Sequence, residues 1–464
     1  MRHDLARAIA GVGLALGAAS ITHGEAIKLV PGEVATGDRY GSAVSMWRML
    51  AVVGSPHDDE NGADAGAVYL LRRDCSAWVV DKKILHEQVV AGNHFGNAVA
   101  IRDDLLVVGA DGADAAAGAA YVFRLAGDDW VFEQKLLPDP AVSRRNFGAA
   151  IAIGVDVIVV GADEDYENGT DSGAAYVFRF DGKGWAREQK LLASDGEAFD
   201  FFGRSVAIDG DTCLIGSPSA FATDSYAGAV YRFHFNGTTW VEEQKLMADD
   251  GGDGDGFGSS VAFDSATTVV GSPLDNGTGI DDSGSVYVFG SNGSTWVQLQ
   301  KLLPPVEAAF DRFGFSVALS GETLVIGSPG DLEMSLTPGA GDVFRFDGSS
   351  WAWARTLAAA DGASQDGLGW SIGLFGDRVV LGAPMDDAAA GSTYLDFIGP
   401  INEGDADVDG DTDLIDFVSF ASCVSGPNPA GAIPEECTVF DFDVDGDVDL
   451  FELATFQRAF ACGN

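Results

Sequence analysis

Residues 202–246 read FGRSVAIDGDTCLIGSPSAFATDSYAGAVYRFHFNGTTWVEEQKL. Four short apolar runs are separated by turn signals. Residues 204–208 are rich in apolar side chains, and Asp209-Gly210 marks a hairpin, because glycine takes the positive φ that tight turns need. Residues 212–215 form a second run. Residues 228–235 alternate, with Val230 on one face and Tyr231 and Phe233 on the other. Asn236-Gly237 is another hairpin signal, and Trp240 to Leu246 completes a four-stranded antiparallel unit.

The unit recurs along the chain. An aromatic-Gly pair stands at Tyr40-Gly41, Phe95-Gly96, Phe147-Gly148, Phe202-Gly203, Phe257-Gly258 and Phe313-Gly314, with Leu368-Gly369 a weaker seventh copy; the intervals are 55, 52, 55, 55, 56 and 55 residues. A second signal, Gly-Ser/Ala often followed by Pro, begins at Gly54, Gly109, Gly161, Gly216, Gly271, Gly327 and Gly382. A third, Gly-x-x-aromatic, runs from Gly66, Gly118, Gly173, Gly228, Gly284, Gly341 (to Phe344) and Gly391. Three signals in step over seven copies predict a β-propeller with seven four-stranded blades.

The two ends of the repeat array are complementary. In copies one to five a Trp precedes Lys by five residues and Ile or Leu by six, as in Trp240, Lys245 and Leu246. Copy six has Trp351, Thr356 and Leu357, and copy seven lacks this strand altogether. Lys28-Leu29 supplies it, since Leu29 precedes Tyr40 by the same 11 residues that separate each Ile or Leu from the next aromatic-Gly pair. Residues 26–31 are therefore expected to close the ring as the outer strand of blade 7. Ile27 and Leu29 are expected to be buried there, worth roughly 1.5–3 kcal/mol each. The recurring lysines read as guards against edge-to-edge aggregation, and the outer-strand tryptophans as packing.

Residues 26–399 resemble FG-GAP repeats, the family that forms the seven-bladed propeller of the integrin alpha N-terminus and of related bacterial surface proteins. The resemblance implies an extracellular binding or adhesion role. Integrin-type blades hold calcium in an Asp-x-Asp-x-Asp-Gly loop between early strands. Here that connection is a tight turn, as at Asp209-Gly210, Gly321-Glu322 and Gly376-Asp377, too short for such a loop. Asp38, Asp200, Asp255, Asp311 and Asp366, each two residues before the repeat's first signal, read as turn carboxylates that accept backbone N–H groups.

Charge bounds the partners. The 464 residues carry 71 acidic and 27 basic side chains, a net −44. Nucleic acid is excluded by repulsion from its phosphates. Residues 1–25 read as an export signal, with Arg2 and Arg7 ahead of an apolar run from Ala8 to Ala19. That run is too short to span a membrane. A secreted or cell-surface location is expected, with the periplasm as the alternative, and the protein is expected to be monomeric.

Composition shifts at Gly399-Pro400. Residues 401–464 hold 15 acids and one base, Arg458. Asp405, Asp407, Asp409, Asp411, Asp413 and Asp416 take positions 1, 3, 5, 7, 9 and 12 of an EF-hand loop with Gly410 at position 6. Asp441, Asp443, Asp445, Asp447, Asp449 and Glu452 repeat the pattern around Gly446. Hard oxygen ligands at this spacing specify calcium, the one cofactor expected. Converging carboxylates repel by about 4 kcal/mol per pair at 4 Å and an effective dielectric of 20, so a cation should couple to folding. Each loop precedes an amphipathic helical stretch. The duplicated loop-then-helix at 400–464 resembles a dockerin module, which implies a small α-helical domain and a cohesin-like or envelope anchoring partner. At loop positions 10–11, where type I dockerins carry a hydroxyl pair, this chain has Leu414-Ile415 and Leu450-Phe451. Cys423 and Cys437 flank a Pro/Gly-rich link and are expected to form a disulfide, while Cys213 and Cys75 read as lone thiols.

No phosphate loop or nucleophile pattern appears, and the six histidines show no metal spacing. The expected function is that of an exported, non-enzymatic calcium-binding interaction or adhesion protein, whose propeller loops present a surface to an extracellular protein or carbohydrate and whose tail docks it. The alternatives are a propeller hydrolase or lyase acting on polysaccharide and a structural envelope component.

Overall fold

The computed structural model of the protein describes residues 26–399 apart from 75–76, 139–144, 223–224 and 265. Across these residues the chain forms seven four-stranded antiparallel sheets, the blades of a propeller. In blade 4 the strands are Ser205–Asp209, Thr212–Ser217, Ala229–Phe235 and Trp240–Leu246, paired in that order from the axis outward. Blades 1 to 6 repeat this plan. Blade 7 takes Ser371–Phe375, Arg378–Ala383 and Ser392–Phe397 from the end of the array and Ile27–Leu29 from its beginning, with Lys28 opposite Tyr394.

The three sequence signals are three sides of one contact between blades. The residue that opens each aromatic-Gly pair bridges the glycine that begins the third signal in the preceding blade: Gly66 to Phe95, Gly228 to Phe257, and across the closure Gly391 to Tyr40. The second signal packs there too. A Cβ on Gly54 would lie 1.9 Å from the Gly96 carbonyl oxygen, and one on Gly382 would lie 2.0 Å from that of Gly41. Only glycine allows backbones to approach so closely. There is correspondingly no single core. The buried apolar residues fall into seven clusters, one between each pair of neighbouring blades, the closing pair included. In six of the clusters the aromatic of the pair packs edge-on against the next ring along, as Phe202 does on Tyr231 with centroids 5.4 Å apart, and in the seventh Leu368 takes its place.

The outer seam is polar. Gln134, Gln189, Gln244 and Gln300 each make two bonds to the backbone of the tryptophan that opens the next blade's outer strand; Gln189 accepts from Trp240 N at 2.8 Å and donates to Trp240 O at 2.9 Å. A register shift one residue earlier aims Glu133 and Glu188 at the indole N–H of Trp185 and Trp240. The tryptophans are thus stitched into the ring, as packing predicts.

Two expectations need correction. Ile27 is 53% exposed, and only Leu29 packs against the core. Closure rests instead on the strand ladder and on Lys28, whose ammonium lies 2.7–3.1 Å from Asp361, Asp386 and Asp387. The third signal of copy six is also displaced. Gly339, not Gly341, bridges Leu368, so the place held by tyrosine in the other blades belongs to Asp342.

Candidate functional site

The residues on either side of the aromatic-Gly pairs supply most of the lining of one cavity. Those before it are Arg39, His94, Asn146, Phe201, Gly256, Arg312 and Gly367, and all seven have positive φ. The five that are not glycine hold a left-handed conformation costing roughly 1–2 kcal/mol each. The residues after the pair are Ser42, Asn97, Ala149, Arg204, Ser259, Phe315 and Trp370. These seven, with Arg39, Asn146 and Arg312 from before the pair and residues that follow the second signal, such as His57, Asp111 and Leu274, line a funnel of about 650 Å³.

The funnel has two unlike halves. On one side Phe315 and Trp370, from blades 6 and 7, lie with ring centroids 4.7 Å apart and planes tilted by 47°, beside Leu274 and Pro273 of blade 5. On the other, blades 1 to 4 supply most of the charge and hydrogen bonds; Arg312 of blade 6 also lines the funnel, paired with Asp331. Asp163 accepts from Asn146 Nδ2 at 2.8 Å and from Arg204 at 3.2 Å. His57 and His94 lie with ring centroids 5.3 Å apart. His57 Nδ1 is 2.7 Å from Asp64 Oδ1, and His94 Nδ1 is 2.9 Å from Asp111 Oδ1. The Asp111 bond outweighs burial and raises the His94 pKa above the usual imidazole value. Such imidazole–carboxylate pairs can hold or pass a proton. The histidines show no linear motif. Their signal is position, since His94 directly precedes Phe95 and His57 follows Gly54 by three.

The repeated lysines are not edge guards. Lys245 lies 2.8 Å from Asp195 and 5.1 Å from the centre of the Tyr231 ring, whose hydroxyl donates to the same carboxylate at 2.8 Å. Asp165 receives Tyr176 at 2.7 Å and Lys190 at 2.9 Å, with Arg145 alongside. Burial opposes its charge, but these donors hold Asp165 below the usual carboxylate range. Lysine and tyrosine face each other across the two outer strands, so the triad follows from strand register. Blade 6 has lost both members. Thr356 stands opposite Asp342 and donates to it at 2.5 Å, and burial raises the Asp342 pKa.

The turn carboxylates fall where expected. Asp38, Asp200, Asp255 and Asp366 accept backbone N–H groups of Ala35, Glu197, Gly252 and Ala363. Asp311 instead accepts from the Thr337 hydroxyl at 3.1 Å. Among the described residues no three His, Cys, Asp or Glu side chains are placed to hold a metal, and no helix is long and apolar enough to cross a membrane. Cys213 is buried and free. Both tail loops, 405–416 and 441–452, the Cys423–Cys437 pair and residues 1–25 lie outside the described residues.

Comparison with known proteins agrees with this geometry. The family model described as FG-GAP repeat matches residues 24–71, 78–123, 130–178, 185–233, 240–289, 296–344 and 351–395. A ring of seven glycine-sealed blades is what these matches describe, and the chain belongs to the FG-GAP repeat family. Each matched stretch begins at the outer strand of one blade and ends in the third strand of the next, so every repeat spans a seam, the first of them the closure. No curated protein matches. Among solved structures the chain is similar to a functionally unknown protein from Desulfotomaculum acetoxidans DSM 771, at 14% identity and a TM-score of 0.45, over 69% of this chain and 86% of that one.

Proposed function

We propose that this is an exported, calcium-binding interaction or adhesion protein. Its propeller engages an extracellular protein or carbohydrate at the funnel face. The dockerin-like residues 400–464 bind calcium through their two loops and dock the molecule to a cohesin-like or envelope partner. One observation carries the binding role: the funnel positions differ from blade to blade while the seam positions beside them are nearly constant. A sevenfold ring gains nothing in stability from a one-sided funnel, whereas a ligand without sevenfold symmetry requires one. The test is a panel of glycans and envelope proteins probed with the full chain, with and without chelator. Retention of a panel member, lost on substitution of Trp370, is expected, as is loss of envelope attachment on chelation. Failure to retain any panel member would remove the reading.

A polysaccharide hydrolase or lyase is the second reading. The adjacent His57–Asp64 and His94–Asp111 pairs favour it, because they offer a proton donor and acceptor at the funnel mouth. Turnover of a polysaccharide that Asp111→Asn abolishes would establish it in place of simple binding.

A further inference from the structure

The repeat acts as its own control, because whatever the fold requires at a position must appear in all seven blades. At the position after the aromatic-Gly pair, five blades carry Ser42, Asn97, Ala149, Arg204 and Ser259, so the ring needs no aromatic there. Only the adjoining blades 6 and 7 carry one. Phe315 and Trp370 are both partly exposed and lie in contact within the cavity, their ring planes tilted by 47°. Arg39, in the next blade round, enters the same cavity from a left-handed backbone. The other two funnel arginines have carboxylate partners, Arg204 with Asp163 and Arg312 with Asp331. Arg39 has none among the described residues, in a chain with 71 acids for 27 bases.

We propose that the funnel binds a carboxylate-bearing sugar, a single uronic-acid unit whose one carboxylate meets a local cation. This deepens, and rests on, the binding reading above. The apolar C–H face of the sugar ring lies on the Trp370 indole, with the Phe315 ring tilted beside it. The Arg39 guanidinium takes the carboxylate, for which its planar fork is matched. Ser42, Asn146 and the free lone pairs of Asp111 receive the hydroxyls. A partly exposed aromatic pair facing a polar wall suits a ligand with one apolar and one hydroxylated side, and about 650 Å³ falls within the range of small-molecule sites. An unpaired guanidinium beside that platform selects an anionic member of the class over a neutral one.

The experiment is calorimetric titration of the full chain with trigalacturonate and with the same trisaccharide after its carboxyl groups are reduced to alcohols. Trigalacturonate is expected to bind at least tenfold more tightly than its neutral counterpart. Arg39→Gln should bring the acidic probe down to the neutral one's affinity and leave the neutral one unchanged, and Arg39→Lys should fall between. Trp370→Ala should abolish binding of both. Phe315→Ser, assayed beside it, covers the case in which one variant fails to fold, and melting curves report folding for each. Equal affinity for the two probes would overturn the charge assignment and leave the funnel as a neutral-sugar site. Undiminished binding in both aromatic variants would overturn the location. If neither trisaccharide binds while an envelope protein is retained, the sugar proposal falls and the binding reading stands; if nothing is retained, both fall.

Discussion

The seam and the funnel wall are one residue apart in sequence and opposite in character. At the seam Gly203, Gly258, Gly314 and their equivalents recur in every blade, because each faces a carbonyl oxygen 2.2–2.6 Å from where a Cβ would stand. One step beyond the aromatic-Gly pair the residue is serine, asparagine, alanine, arginine, phenylalanine or tryptophan. Uniformity marks what geometry demands of every blade. Divergence marks where geometry makes no demand and another constraint acts.

The largest expected effect lies at the seam. Gly216→Ala places a methyl 2.1 Å from the Gly258 carbonyl and should destabilise the ring by about 3 kcal/mol or more. Gly237→Ala, at a hairpin with positive φ and open space, should cost only about 1 kcal/mol. Urea unfolding of the two variants measures the gap, and equal losses would erase the distinction between seam and turn.

Next comes the closure. Lys28→Met leaves the buried Asp386 carboxylate without its cation and should cost about 2 kcal/mol at neutral pH. Burial works against the Lys28 charge, yet the three carboxylates raise its pKa, and Asp361 and Asp386 are correspondingly lowered. The lysine contribution is present below its ordinary value near 10.4 and lost as pH rises through the folded one. The aspartate contribution is present above about 3.9 and lost as pH falls through the folded values. The deficit of Lys28→Met should therefore persist across neutral pH and vanish in strong acid. No deficit at neutral pH would assign closure to the ladder alone, and a deficit unchanged at low pH would assign the loss to side-chain packing rather than to charge.

Blade 6 offers a smaller effect of opposite sign. Burial raises the Asp342 pKa, so its charge penalises the folded state above that raised value and not below about 3.9. Asp342→Asn should stabilise the protein by about 1 kcal/mol at pH 7 and make no difference in acid. Thermal melts at both pH values decide it. Smallest is the funnel: Trp370→Ala should change stability by under about 1 kcal/mol, since five blades fold without an aromatic there. A larger loss would make Trp370 part of the ring rather than of a site.

The ring itself was legible in the sequence because the same backbone contact recurs seven times and only glycine satisfies it. Closure was legible as an arithmetic of spacing. The role of the lysines was not, because an outer strand reads as an edge until register places Lys245 over Tyr231 and beside Asp195, a residue 50 positions away. The third signal in copy six was misplaced because Gly341 and Phe344 preserve the spacing while the bridge runs through Gly339. The funnel was not legible, because its residues fall where the repeats differ from one another. His57, His94, Phe315 and Trp370 stand in the columns that vary.

The strand Ile27–Leu29 is synthesised first and used last. Its partner across the ladder, Thr393, follows Leu29 by 364 residues, so six blades and most of a seventh must exist before it has anywhere to go. Until then the growing chain is an open arc with an unpaired edge at each end, exposed to any other strand it meets. Joining ends so far apart in the chain makes sealing the slowest entropic step of assembly. The finished molecule reports its own completion: once Lys28 reaches its three carboxylates, every blade has been made.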